Sequence, residues 1–505
     1  MMSDKEIQKI LLQLKTLKAE NEKLKEENAY LKFRMDELRA KRYKPKRKPP
    51  DDTPPALPTT KKKRGGLFGH MGWFRKRPKV PDRVEDIRLD KCPCCGSNDL
   101  SECEKTLDHT QEDIILPKVE VTLYRKHRYY CKKCKKVVSP RGQEEIPGSR
   151  IGPRAKAFAA FLRYGVKISK RDVSALFRKA FNLNISSSSI DGFMDQLKKE
   201  SLHIYDELLE SLKKGPFIHA DETGWRVDGS NYWLWKFSNK KISYSHIDKG
   251  RGQKVVEDIL GKDYLGVLIS DFLSAYNRII TKAKQKCLAH LFRDLEKVIR
   301  YWHDDKEVSR YCRRLGKMLK DAIDLYKEYK KKEWDERYYT KRARLNDSLK
   351  DFSFPNPNKR ILKRFANRFA RHKGEILTFL YIKDIDPHNN HAEQQIRPDV
   401  IFRKITYGNR SLAGAQNHSV LMTILQTAKL NDMDPIKTLE DILIAGKKRN
   451  PFAKILSPPK RIESPTIKIG TVPAYASRWG QSLFLSYCLC KHLSVTKKRI
   501  VTQSQ

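Results

Sequence analysis

No uninterrupted apolar run in the 505-residue chain approaches the roughly 20 residues that cross a bilayer. The N-terminus also lacks the apolar stretch of a secretory signal. A membrane-spanning or exported protein is therefore not expected, and a soluble intracellular one is. Acids are scarce beside bases: 61 Asp+Glu against 105 Lys+Arg leave a formal net charge of +44. That imbalance makes a polyanion the expected partner, because each neutralised phosphate releases counterions. Hydrophobic residues, at 39%, are too many for a wholly disordered chain. At about 100–200 residues per domain, the length implies several domains. Composition leaves DNA or RNA, and binder or enzyme, open.

The first forty residues carry an unbroken heptad. Ile7, Leu14, Asn21, Asn28 and Met35 fall on one seam position, and Ile10, Leu17, Leu24, Leu31 and Leu38 on the other. Such spacing buries a stripe only against another helix, so it predicts a left-handed coiled coil, with leucine favouring a parallel dimer. Asn21 and Asn28 would pair across the seam and fix its register, and Glu20 and Glu27 sit five residues before Lys25 and Lys32, the spacing of interhelical ion pairs.

From Lys41 to Pro81 the chain turns basic and proline-rich, a composition that builds no core and reads as an extended linker. Its end mixes Arg64, His70 and Arg75 with glycines and aromatics, a mixture that can follow a phosphate backbone or serve only as a solvated tether. Two Cys-x-x-Cys knuckles follow. Cys92, Cys95, Cys131 and Cys134 supply four thiolates for a tetrahedral structural zinc, with Cys94 a possible substitute ligand. Disulfides are disfavoured without a secretory signal. Val119 to Tyr124 and Lys126 to Tyr130 read as strands of a zinc ribbon. Beyond Pro153 the pattern is helical, and Ile168 to Ile190 reads as helix, polar turn and serine-capped helix, a weak helix-turn-helix signal.

Three acids stand out by their surroundings. Asp221 ends the apolar run from Phe217, and Asp271 ends the run from Leu265. Glu393 shares a helix face with Asn390 and Arg397, at steps of three and four. Carboxylates at adjacent strand ends plus one on a facing helix can hold two Mg²⁺ ions for in-line phosphodiester chemistry, with Mn²⁺ as a substitute. His219 reads as a packed strand residue, and Glu222 should point away from Asp221 on a continuous strand.

On these residues the sequence resembles the transposases of the insertion sequence 66 family, acidic-triad enzymes with an RNase H-like core. The resemblance rests on Gly66-x-x-Gly69-His70-x-Gly72, the cysteine knuckles, His219-Ala-Asp221-Glu-Thr-x-Trp225 and Asp271 followed by Tyr276. It continues through Cys287-x-Ala-His290-x-x-Arg293, Asn389-Asn390-x-Ala-Glu393-x-x-Ile-Arg397 and Lys404 to Ser411. It implies that Asp221, Asp271 and Glu393 are the catalytic triad and Mg²⁺ ligands, and that Cys287, His290 and Arg293 have an accessory role in the core. Asn390 and Arg397 join that accessory set. Arg403, Lys404, Asn409 and Arg410, with Tyr407-Gly408 allowing backbone approach, suit phosphate contacts that position a strand.

The expected architecture is a multidomain α+β protein. Residues 1–40 form a coiled coil, 41–81 the basic linker, 82–150 the zinc domain and 151–214 a helical DNA-binding module. Residues 215–294 and 383–445 form the RNase H-like catalytic core, interrupted by an α-helical insertion at 295–382. Residues 446–505 are a tail without an assigned role. The expected activity is Mg²⁺-dependent cleavage and strand transfer at terminal inverted repeats, by a homodimer or higher oligomer in a prokaryotic cytoplasm at the nucleoid. Target DNA and accessory proteins of the same element are further partners, and no membrane is involved. The rival readings are a catalytically inert DNA-binding regulator and an RNase H-like nuclease without joining activity.

Overall fold

The computed structural model describes residues 4–41, 98, 119–353, 359–446 and 450–456. Arg64, His70, Arg75, Cys92, Cys94 and Cys95 lie outside the described residues, as do linker residues 42–81 and tail residues 457–505. No described helix is long and apolar enough to cross a membrane.

Helix α1 (Asp4–Lys41) is continuous and has two faces. Phe33 is buried, with Ala29 and Tyr30 partly buried beside it in the main hydrophobic cluster. The heptad leucines Leu17, Leu24, Leu31 and Leu38 point elsewhere and are 52–61% exposed. Strands β1 (Tyr129–Cys131) and β2 (Lys136–Val138) pair antiparallel around the Cys131–Cys134 knuckle. The ribbon is shorter than its sequence suggests, since residues 119–128 form no strand. Val121 and Leu123 are 91% and 81% exposed, so among the described residues nothing covers the apolar positions whose burial would stabilise pairing.

Helix α2 (Pro153–Ala160) runs into a π-helical turn, Phe161–Val166. Helices α3 (Lys170–Phe181) and α4 (Ser187–Lys213) follow, with the Ser169 and Ser186 hydroxyls accepting the backbone N–H groups of Asp172 and Ser189. Each cap satisfies a donor that the helix itself leaves open.

The central sheet contains β3 (Phe217–Val227), β4 (Ser230–Ser238), β5 (Ser243–Asp248), β6 (Asp263–Ser270) and β7 (Ile280–Lys286), with helix α5 (Gln253–Leu260) between β5 and β6. Its spatial order is β5-β4-β3-β6-β7. Strands β3, β4 and β5 are antiparallel neighbours, whereas β6 and β7 run parallel to β3. The β3–β4 hairpin turns at Asp228-Gly229, both at positive φ (48° and 71°), the type I′ geometry that matches strand twist. β3 therefore continues six residues past Asp221, where the apolar run alone suggests an end.

Four helices, α6 (Leu288–Tyr301), α7 (Lys306–Tyr329), α8 (Glu336–Ser353) and α9 (Arg360–Arg371), share one core with Val267 and Ile269 of β6 and with Phe33 of α1. α9 buries Ile361, Leu362, Phe365, Ala366 and Phe369, an i, i+3, i+4 stripe that leaves its cations outward. Helices α10 (Asn390–Thr406), α11 (Leu412–Leu430) and α12 (Pro435–Ala445) complete this unit. The short α13 (Ala453–Leu456) belongs to a second compact unit that begins at Phe452.

A buried ionic cluster pins α10 and α11 to β4. Lys236 Nζ lies 2.9 Å from Asp399 Oδ2, and His418 Nε2 lies 2.9 Å from Asp399 Oδ1, with all three side chains fully buried. Burial pushes the Asp399 carboxyl upward, but Lys236 and His418 outweigh it and hold the group below its usual range. The seam between helix and strand is thus fixed by a charge pair that neither partner can leave without stranding the other.

Candidate active site

Strand pairing brings the first two acids together. β3 and β6 align His219 with Ile269, so continuing that parallel register by two residues sets Asp221 level with Asp271, just beyond the end of β6. Asp221 Oδ1 accepts the Glu222 N–H at 2.9 Å, and Asp271 Oδ1 accepts the Leu273 N–H at 2.8 Å. Burial, then the charges of Glu222 and Asp271, raise the Asp221 carboxyl well above the usual range; Glu393 adds to the effect. The third acid enters from the first turn of α10. Arg293 of α6 donates to Glu393 Oε1 at 2.9 Å, and His290 Nδ1 stands 3.8 Å from the same oxygen.

Asn389 links these elements, and sequence reasoning passed over it for its neighbour Asn390. Its side-chain amide donates to the Ala220 carbonyl at 2.7 Å, and its Oδ1 lies 3.1 Å from His219 Nδ1. Its backbone N–H donates to Cys287 Sγ at 3.1 Å, while its carbonyl accepts the Glu393 N–H at 3.1 Å. Cys287 N–H in turn donates to the Ser270 carbonyl at 2.9 Å, immediately before Asp271. One buried asparagine thus connects the strand bearing Asp221, the end of the strand bearing Asp271 and the helix bearing Glu393. An Asn before a helix with an acid in its first turn is the signal that was available.

Glu222 turns to the opposite side of β3 from Asp221, as a continuous strand requires. There Arg251 donates to Oε1 at 2.8 Å and the Tyr276 hydroxyl to Oε2 at 3.2 Å. Burial, followed by the charge of Asp271, lifts its carboxyl to about 7. Behind Asp271, Lys286 donates to the Asp271 carbonyl at 3.1 Å, and burial lowers its ammonium to about 8. This concentration of carboxylates lacks a cation on Asp221 among the described residues. Hard oxygen donors crowded into a half-buried site are the environment that divalent magnesium or manganese stabilises.

The match to known families decides the assignment. Residues 148–417, just over half of the chain, match the model described as "Transposase IS66 family". The chain belongs to that family. Residues 90–135 of this transposase-family chain match the zinc-finger binding domain of transposase IS66, a span that contains all four knuckle cysteines. Two uncharacterized proteins of Sinorhizobium fredii (strain NBRC 101917 / NGR234) are similar along much of their length. One, y4hP, is 22% identical over 73% of this chain and 74% of its own, and the other, y4qI, is 25% identical over 72% of each.

The zinc-finger match supports a structural zinc, and the described half of the site fits one. The backbone N–H of Cys134, then its side chain and the N–H of Lys133, hydrogen-bond Cys131 and hold its thiol below the usual value. Lys135, at φ 52°, closes the knuckle by donating to the Cys131 carbonyl at 2.9 Å. N–H groups aimed at a sulfur favour the thiolate that zinc requires.

The remaining candidate residues of this family member are distributed as follows. Donor atoms of Cys287, His290 and Glu393 lie within 4.8 Å of one another. Burial raises the Cys287 thiol, and its sulfur accepts the Asn389 N–H, tying it to the framework. Asn390, Arg397, Lys404 and Arg410 are exposed. Arg403 instead bonds Thr223 Oγ1 at 3.0 Å and the Gly224 carbonyl. Asn409 accepts from Trp225 Nε1 at 2.8 Å and donates to the Gly414 carbonyl at 2.9 Å. The backbone approach permitted by Gly408, at φ 111°, is made to the Arg226 carbonyl of β3.

Proposed function

We propose that the chain cuts and joins DNA at the terminal inverted repeats of its element, with Asp221, Asp271 and Glu393 as the catalytic acids of an RNase H-like core. The supporting observation is the convergence of these three carboxylates, contributed by two parallel strands and one helix, through the buried Asn389 bridge. Two Mg²⁺ ions held by the triad would activate a water or 3′-hydroxyl and stabilise the leaving oxygen of an in-line displacement. The chain's own residues prepare that site. Asn389 fixes the spacing between β3 and α10, and Cys287 fixes α6 against both. His290 and Arg293 flank Glu393, where they orient the scissile phosphate once Arg293 exchanges its carboxylate partner for a phosphate oxygen. Arg397, Lys404 and Arg410 present exposed cations along and just beyond α10 for the flanking backbone.

Recognition falls to other parts. The linker with Arg64, His70 and Arg75, the zinc domain and the α3–α4 pair contact the repeat. The exposed seam of α1 pairs with a second copy, a reading supported by its unburied leucines on a helix whose Phe33 face is already occupied. A strand-transfer assay tests the proposal. A pre-cut repeat end supplied with plasmid and Mg²⁺ should yield joined product. Hydrolysis without joining would indicate a nuclease, and repeat binding without either reaction an inert regulator.

A further inference from the structure

The outer face of α9 presents Arg360, Lys363, Arg364, Arg368 and Arg371 to a groove of about 500 Å³. Tyr30 of α1 and Phe272, the residue after Asp271, form part of its wall. Each ring carries a guanidinium: Arg360 lies 4.0 Å from the Tyr30 centroid and Arg368 lies 5.0 Å from that of Phe272. Two of these cations are already paired with carboxylates that do not line the groove: Arg364 grips both oxygens of Glu37 at 2.7 and 3.0 Å, and Arg368 meets Asp294 at 2.6 Å. Lys363 and Arg371 are exposed and have no ion-pair partner among the described residues. A line of cations with aromatic and guanidinium planes beside it suits a backbone whose bases are free to stack, which a duplex does not offer. The volume lies within the roughly 300–1,000 Å³ of single-ligand pockets, which suits unpaired nucleotides.

We infer that this groove holds an unpaired DNA strand leading from the acidic centre, with phosphates on Lys363 and Arg371 and a base stacked at Phe272. The inference rests on the transposase reading for the source of that strand, since opening a repeat end beside Asp271 would release one at the mouth of the groove.

The test uses the full-length chain and a fluorescein-labelled single-stranded oligodeoxynucleotide, with the corresponding repeat duplex measured in parallel by anisotropy across a salt series. Lys363→Gln/Arg371→Gln should weaken single-strand binding about tenfold and reduce its log–log salt slope by about 1.4, at about 0.7 per lost contact. Duplex affinity should stay within about twofold. Phe272→Leu should weaken single-strand binding by about fivefold or more through lost stacking. Lys363→Arg/Arg371→Lys, with both charges retained, should bind as wild type, and circular dichroism melts establish that each variant is folded. An unchanged slope in the Gln variant, equal losses on strand and duplex, or a wild type that does not bind the single strand would each overturn the groove assignment. Any of these alongside wild-type joining of repeat ends would leave the transposase reading standing. Absence of joining with the predicted strand selectivity would sink that reading and keep the groove.

Discussion

Replacing Asn389 by alanine probes the bridge between the acid-bearing elements most directly. The side chain makes two buried hydrogen bonds, to the Ala220 carbonyl at 2.7 Å and to His219 Nδ1 at 3.1 Å. Burial, followed by repulsion from His391, lowers the His219 pKa to about 4, so the ring is neutral at pH 7 and cannot compensate through charge. Leaving both groups unpartnered costs about 1–3 kcal/mol each, or about 2–6 kcal/mol in all before relaxation. The same change frees α10 to shift against β3, and a displacement of about 1 Å at Glu393 would lower the reaction rate about a hundredfold. Urea denaturation should show a lower midpoint with an unchanged slope. Repeat-end cleavage, measured where the variant is fully folded, should fall while repeat binding persists. Wild-type cleavage by a destabilised Asn389→Ala would refute the positioning role, and wild-type stability would refute the hydrogen-bond reasoning itself.

Other parts of the molecule give independent tests. Lys236→Met should destabilise the fold by about 3–5 kcal/mol by leaving Asp399 buried without its cation, and Lys236→Met/Asp399→Leu should recover most of that loss in urea melts; equal losses would remove the cluster's role. Because the folded Asp399 carboxyl is depressed, its contribution is present above the unfolded value of about 3.9 and is lost as pH falls through the lower folded value. The wild-type urea midpoint should therefore drop below about pH 4 more steeply than that of the double variant. Cys131→Ser should release zinc measured by atomic emission, whereas full retention would dismiss the knuckle as a ligand pair. Leu17→Asp/Leu24→Asp should yield monomers by light scattering with the melt unchanged, because the Phe33 face of α1 packs elsewhere; an unaltered oligomer would place the contact outside the seam.

The sequence made the acids legible where local pattern and chemistry coincide. Asp221 and Asp271 each follow an apolar strand, and Glu393 lies where helical periodicity begins. Partners distant in the chain were not legible. Lys236, set among aromatics on β4, looks like a solvent-facing alternation until α10 and α11 close over it with Asp399 and His418. Asn389 was hidden because its side-chain partners lie on β3, while the helical step of three and four draws attention to Asn390. The extent of β3 depended on the Asp228-Gly229 turn, a local hairpin signal outweighed by the apparent stop at Asp221. The cysteine knuckle was readable from its spacing, but of the strands read at Val119 to Tyr124 and Lys126 to Tyr130 only the end of the second forms, as β1, since no element among the described residues covers the rest.

The central claim, that the converging carboxylates cut DNA with a divalent cation, is tested most directly by cleavage of a labelled repeat-end duplex in Mg²⁺. Wild type should be compared with Asp221→Asn, Asp271→Asn and Glu393→Gln, with duplex binding measured on the same samples. Each substitution should lower cleavage by about a thousandfold or more, as loss of several kcal/mol of charge stabilisation implies, while binding remains and EDTA abolishes the wild-type reaction. Cleavage that survives any one of the three substitutions at the wild-type rate, with binding intact, would contradict the assignment of that acid and with it the three-carboxylate centre.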